Sequence, residues 1–409
     1  MQQLQKTISY LSNKSPFYQQ WFQTQKVLPL QILEVAHLSQ LATVSKKDFA
    51  ENNFDFLCCE RQQIADYCTT SGTTGAPVTI ALTPNDLLRL AHNEAHTFQL
   101  AQLSNSDICM LMLTLDRQFM AGIAYYEGLR LLGIPAVRSG SISPAAQLKN
   151  ILQFKPSVLV AVPSFILKVI STAKEEGIDL ATLSVKKIIC IGEPIRTQNI
   201  EPNNLALQIT KQWNVQLFST YASSEMQTAF SECTHGKGNH VNPKLIIAEV
   251  LDEQGNEVPN GNIGELTITT LGVEAMPLLR YRTGDMVFAI RETCACGSNA
   301  MRISPVLGRK NELLKYKGTS IFPAAIFNVL QSESAIQDYL IEAKNNEGRT
   351  DELLVHIVCA EANEQFKLHL ENQCKAALRV TPEFQFSTAE KLAALRPAEN
   401  RKIIRFIER

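Results

Sequence analysis

The sequence predicts an α/β protein in two domains: a large N-terminal domain, residues 1–307, that joins doubly wound mixed sheets to a β-rich subdomain, and a small α+β C-terminal domain, residues 308–409. Three observations carry this expectation. At 409 residues the chain is too long for one ordinary core. Between Ser106 and Glu225 apolar runs alternate with segments of helical periodicity. Beyond Glu225 the texture changes twice, first to short extended runs broken by turn signals and then, from Asn311, to a compact mixed pattern.

In chain order, the runs Ile108–Leu113, Val158–Val162, Lys187–Ile191 and Val215–Thr220 are rich in Ile, Val and Leu and read as strands buried on both faces. The segments between them, Gly122–Leu132, Pro144–Phe154, Ser164–Glu176 and Leu205–Trp213, place apolar residues three and four apart and read as helices. Gly133 and Gly177 follow two of them as C-terminal stops. Such alternation predicts a doubly wound parallel sheet, with its ligand at the carboxyl ends of the strands. From Lys244 to Ile290 the turn signals Asp252-Glu-Gln-Gly255 and Pro259-Asn-Gly261 separate extended runs such as Glu265–Thr270, which predicts an antiparallel sheet. The last hundred residues read as strand 312–316, helix 324–331, strands 339–343 and 353–359, helix 364–378 and strand 384–387.

Composition excludes several classes. A formal net charge of −1 gives no broad basic footprint for nucleic acid. Residues 1–10 lack a basic region followed by an apolar run, so no secretory signal is expected there. The most apolar stretch, Val158–Ile170, contains Pro163 and Lys168 and is short of the ~20 residues a bilayer requires. A soluble cytoplasmic protein with no membrane partner is expected, and its ten cysteines should then be reduced.

The stretch Thr69–Ile80, TTSGTTGAPVTI, gathers hydroxyls and two glycines in one loop. It lacks the Gly-Lys of a P-loop NTPase, since Ala76 follows Gly75. Glycines free to take positive φ beside hydroxyls and amide N–H groups nevertheless suit a phosphate cradle; a Ser/Thr-rich turn between strands is the plain alternative. Four further stretches follow it: Tyr221-Ala-Ser-Ser-Glu225, Tyr281-Arg-Thr-Gly-Asp285, Gly308-Arg309 with Lys315-Tyr-Lys-Gly318, and Asn400-Arg-Lys402. In order and rough spacing these motifs resemble the adenylate-forming superfamily of acyl-CoA ligases. With the compact length, Gly192-Glu-Pro194 and Ile321-Phe-Pro323, they look most like its phenylacetate-CoA ligase branch.

The resemblance implies an AMP-forming acid–thiol ligase. A carboxylate, aryl or arylacetic in this branch, attacks the α-phosphate of ATP, pyrophosphate leaves, and a thiol then takes the acyl group from the adenylate. An anion meeting a polyanion needs cations and placed donors more than a protein nucleophile. The resemblance implies that Thr70, Ser71, Gly72, Thr73, Thr74 and Gly75 hold the β- and γ-phosphates, with Ala76 in place of the lysine common there. It makes Glu225 the magnesium ligand, Tyr221 the ring packed on adenine, with Ala222, Ser223 and Ser224 beside it, and Asp285 the acceptor of the ribose hydroxyls. Arg309 reaches ribose or phosphate, and Gly192, Glu193 and Pro194 border the nucleotide. Lys402 is the catalytic cation on a mobile C-terminal domain, Asn311 the hinge, and Gly318 the residue beside the coenzyme A tunnel. By ordinary readings Glu225 is a solvated loop carboxylate, Tyr281–Asp285 a β-turn with a surface ion pair, and Lys402 a tail charge whose preceding Arg401 replaces the usual glycine. Phe119, Gly122, Tyr125 and the segment 191–194 are the expected acid pocket, against the alternative of core packing.

Cys233-Thr-His-Gly-Lys-Gly-Asn-His240 and Cys294-Ala-Cys296-Gly297 flank the β-rich segment. Two short Cys/His pairs so placed suit one tetrahedral structural zinc, bound by Cys233, His240, Cys294 and Cys296. Four reduced loop residues are the alternative, and His235 is a rival ligand. Expected cofactors are therefore ATP, magnesium and coenzyme A, with zinc in addition; a homodimer is expected from the branch. Two other functions stay open: loading of a carrier protein's phosphopantetheine, and non-catalytic binding of a nucleotide or acyl-adenylate.

Overall fold

Burial on both faces accounts for the apolar strands. In the computed structural model, which describes residues 2–70, 78–317, 319–333, 335–346, 349–360, 362–396 and 404–409, parallel strands run side by side in the order Ala136–Arg138, Cys109–Leu111, Val158–Ala161, Lys187–Cys190 and Gln216–Ser223. Successive side chains leave by opposite faces. Met110, Leu159, Ala161, Ile188, Cys190 and Leu217 join one core with the helices Pro144–Phe154, Pro163–Glu175 and Asn204–Gln212. Leu111, Val158, Val160, Ile189 and Phe218 join another, with Tyr125 and Leu129 of the helix Met120–Leu132 and Phe98 of the helix Pro84–Leu100. The sheet is thus doubly wound, as expected, and each fully buried aliphatic side chain contributes about 1.5–3 kcal/mol. Gly133 and Gly177 take φ of +66° and +68° just past their helices, which relieves the last carbonyls without a Cβ penalty.

The antiparallel region continues this sheet. Strand Gln216–Ser223 outruns its parallel neighbour, and its last residues pair antiparallel with Thr228–Ser231, Tyr221 opposite Phe230. The ladder then passes through Asn239–His240, Arg302–Ile303, Tyr281–Ile290 and Ile263–Thr270 to Ile246–Leu251. The expected β-rich subdomain is therefore hydrogen-bonded to the parallel strands in one path, because one long strand serves both. The element reading omits the N-terminal helices Gln2–Lys14 and Pro16–Gln25, the helix Pro84–Leu100 and the hairpin Asp66–Thr69 with Thr79–Leu82. The long helix begins with a capping box in which Thr83 and Asp86 exchange hydrogen bonds, a signal written in the sequence.

Contacts divide the chain into two units, with described residues 2–70 and 78–305 in the first and those from 306 onward in the second. In the second unit the expected strand pair is a longer hairpin, Ile336–Asn346 with Arg349–Cys359. Glu383–Phe386 and Phe406–Glu408 add parallel strands on either side of it. Helices Pro323–Leu330 and Glu364–Leu378 cover its core through Ile326, Leu330, Leu370 and Cys374. The reading also omits helix Ala389–Leu395 and strand Phe406–Glu408, short elements with weak periodicity. No helix among the described residues is long and apolar enough to cross a membrane.

Candidate functional site

The hairpin made by Gln216–Ser223 and Thr228–Ser231 presents Tyr221, Ala222 and Ser223 at the carboxyl end of the parallel sheet. Its turn carries Ser224 and Glu225. Ser223 Oγ accepts the Met226 N–H at 3.3 Å, and Gln227 closes the turn with φ of +50°, donating its N–H to Ser224 O. Asp285 lies in the adjoining antiparallel region, in strand Tyr281–Ile290, where Tyr281 and Arg282 pair with Ile268 and Thr267 and residues 283–285 form a bulge with Gly284 at φ +80°. The Tyr221 hydroxyl donates to Asp285 Oδ2 at 2.7 Å across 64 residues of sequence. Burial, with the Asp285 charge beside it, pushes the phenol well above its ordinary range, so it stays protonated and donating.

Glu225 is buried, and its Oε1 is 3.7 Å from Lys46 Nζ. Sequence reasoning missed Lys46, which Ser45 sets at the start of the short helix Lys46–Glu51 through a capping box with Asp48. Arg282 binds Glu265 at 2.6 Å while Glu265 also accepts the Gly284 N–H at 3.1 Å, which fixes the backbone on the approach to Asp285. Arg89 was missed as well. From the Pro84–Leu100 helix it donates to Gln227 O at 2.6 Å, Thr228 Oγ1 at 3.2 Å, Leu245 O at 2.5 Å and Leu271 O at 2.7 Å. Desolvation lowers this guanidinium to about 10, which leaves it charged at neutral pH and clamped to the turn behind Glu225.

Thr70 and Val78 bracket the hydroxyl-rich loop. Thr70 N–H donates to Val78 O and Val78 N–H to Thr70 Oγ1, both at 3.0 Å, at the head of the Asp66–Thr69 hairpin. Ser71, Gly72, Thr73, Thr74, Gly75, Ala76, Gly318, Arg401 and Lys402 lie outside the described residues. Arg309 ends the short strand Gly308–Arg309 and Asn311 sits in a single helical turn, Lys310–Glu312, both in the second unit.

Gly192, Glu193 and Pro194 follow strand Lys187–Cys190 at the carboxyl edge, with Gly192 at φ +76°. The Glu193 carboxylate accepts Ser164 N–H and Oγ–H, both at 2.9 Å, and so caps the helix Pro163–Glu175. Tyr125 is fully buried against Phe98, and its hydroxyl lies 3.4 Å from Thr220 Oγ1. Gly122 is a close-approach position: a Cβ there would fall 2.3 Å from Thr114 O and 2.8 Å from Leu115 Cα. Phe119 is half-buried at the start of the same helix. Tyr125 thus packs within the parallel-sheet core, while Gly122 lets its helix approach the loop backbone of Thr114 and Leu115.

Cys233, His240, Cys294 and Cys296 come together, each offering one ligating atom within 4.8 Å of the others. His235 is not part of this group. Cys58, beside the N-terminal helices, is buried and pushed up to about 12 by desolvation, which is unsuited to a nucleophile.

Residues 19–275 match the profile of the AMP-binding enzymes, which is more than half of the chain, and the protein belongs to that family. Its likeness to the phenylacetate-CoA ligase branch is equally plain. The phenylacetate-coenzyme A ligase of Thermus thermophilus is 27% identical over 366 residues, 88% of this chain and 80% of that one. The ligase of the same name from Aromatoleum evansii is 26% identical over 370 residues, 89% of this chain and 82% of that one. The fold is shared with the crystal structure of 2-hydroxyisobutyryl-CoA ligase in its postadenylation state with 2-HIB-AMP, at a TM-score of 0.86 and 19% identity over 100% of this chain and 88% of that one.

Proposed function

We propose that the protein activates a carboxylic acid, aryl or arylacetic by analogy with its relatives, to an acyl-adenylate with ATP and then transfers the acyl group to coenzyme A. The observation that carries this reading is the Tyr221–Asp285 hydrogen bond of 2.7 Å at the carboxyl edge of the sheet, with Glu225 four residues beyond Tyr221. A carboxylate that accepts the phenolic hydrogen bond is held in one orientation, which suits it to receive ribose hydroxyls. Glu225 would hold magnesium, which neutralises charge on the phosphates when bound.

In the first half-reaction the substrate carboxylate oxygen bonds to the α-phosphorus and the bridging oxygen leaves with pyrophosphate. Lys402 would offset the charge that develops there. In the second, the thiol sulfur bonds to the acyl carbon as AMP leaves, and the thiol proton is lost to solvent or base. The relatives named for coenzyme A ligation favour that thiol over a carrier protein.

Exchange of labelled pyrophosphate into ATP tests the reading, run over aryl, arylacetic and aliphatic acids with and without magnesium. Exchange with one acid class, abolished by Lys402→Ala, is the expected result. Absence of exchange with every acid, despite AMP binding, would overturn it in favour of a non-catalytic binder.

A further inference from the structure

We propose that Cys233, His240, Cys294 and Cys296 bind one structural zinc ion, and that this ion pins the ends of the strands that present Tyr221 and Asp285. Two opposite edges of the group match a closed tetrahedral site. With Zn–S of about 2.3 Å and Zn–N of about 2.0–2.1 Å, the S···S edges of such a site are about 3.8 Å and its S···N edges about 3.6 Å. Cys233 Sγ lies 3.7 Å from Cys294 Sγ, and Cys296 Sγ lies 3.8 Å from His240 Nε2. A disulfide would require about 2.05 Å between sulfurs.

The local chain is built for it. Cys233-Thr-His-Gly236 and Cys294-Ala-Cys-Gly297 are matching turns: each glycine N–H donates to the cysteine carbonyl, at 3.0 and 2.8 Å, and the glycines take φ of +60° and +86°. Cys233, His240 and Cys294 are each at most 4% exposed, and Cys296 closes the group from the surface. Three thiols and one imidazole are a soft donor set suited to zinc and poor for magnesium or calcium. Four protein ligands leave no open position, so the ion is structural and not catalytic.

The consequence for the nucleotide face follows from the ladder. Cys233 lies two residues past Thr228–Ser231, the partner of the strand bearing Tyr221. His240 pairs with Ser231 on one side and Arg302 on the other. Cys294 lies four residues past Tyr281–Ile290, the strand bearing Asp285. One ion thus closes the ends of strands that are far apart in sequence.

The test needs no substrate, so its failure is distinct from failure of the ligase reading. Elemental analysis of protein purified without chelator should give about one zinc per chain, and cobalt-loaded protein the absorption of tetrahedral thiolate ligation. Cys294→Ser and the surface change Cys296→Ser should lose the metal, while His240→Cys keeps it. Chelation should lower the melting temperature and weaken AMP binding about tenfold in calorimetry. No zinc in metal-replete protein, a Cys233–Cys294 disulfide in non-reducing mass spectrometry, or zinc retained in both serine variants would overturn the site. Unchanged AMP affinity after full zinc removal would overturn the pinning.

Discussion

Glu94→Gln should abolish a pH-dependent loss of stability that is built into the wild-type core. Glu94 sits on the buried face of the Pro84–Leu100 helix, where Gly128 of the neighbouring helix comes so close that a Cβ on it would fall 2.6 Å from Glu94 Cβ. Oε1 accepts a hydrogen bond from Asn93 Nδ2 at 3.1 Å, and Oε2 has no partner. Desolvation raises the carboxyl from 4.5 to about 7, against the opposing pull of the Asn93 and Thr97 side chains. The folded chain therefore keeps a proton that the unfolded chain releases between those values. Stability is intact below the unfolded value and is lost as the pH rises toward the folded one, by about 3 kcal/mol in total. Glutamine carries no such linkage. Urea unfolding followed by tryptophan fluorescence suits the test, because Trp21 and Trp213 both lie in the first unit. The variant should gain on wild type by about 3 kcal/mol between about pH 4.5 and pH 8. Parallel pH profiles for the two proteins would refute the reasoning, as would a variant that loses ground as the pH rises.

Two more outcomes follow from contacts around the same face. Tyr221→Phe deletes the 2.7 Å bond to Asp285 and should weaken AMP binding about tenfold, the order of a hydrogen bond to a charged group, with little change in melting temperature. Calorimetric affinity equal to wild type would remove Tyr221 from the site. Arg89→Met strands the Gln227 and Leu271 carbonyls, removes one of two donors to Leu245 O, and should cost about 3–5 kcal/mol in urea unfolding, whereas a loss below about 1 kcal/mol would show that water or backbone shifts replace the clamp.

The fold was legible wherever its cause is local. Continuous apolar runs and helical periodicity marked the central parallel strands and their covering helices, since strands such as Cys109–Leu111 and Val158–Ala161 are buried on both faces. The helix Pro84–Leu100 escaped that reading although Leu87, Leu90, Ala91, Ala95 and Phe98 recur at helical spacing, because Asp86, Arg89, Asn93, Glu94 and Thr97 are buried among them and break the apolar pattern. The strands Ala136–Arg138 and Phe406–Glu408 are three residues long, too short for periodicity to register.

For the site, the sequence by itself determined which chemistry-bearing types are present and in what order: the hydroxyl-rich loop, Tyr221 to Glu225, Asp285, and two Cys/His turns. Motif order along the chain is a one-dimensional property, so it survives without coordinates. Only the tertiary structure decided that Tyr221 donates to Asp285, that Lys46 faces Glu225, that Arg89 braces the turn from 138 residues away, and that His240 and not His235 completes the sulfur cluster. It also showed Tyr125 buried against Phe98, Gly122 close against the backbone of Thr114 and Leu115, and the Glu193 carboxylate bonded to Ser164 at the start of a helix. These are pairings between distant segments, set by strand register and helix packing, and neither is encoded in the spacing of any single motif.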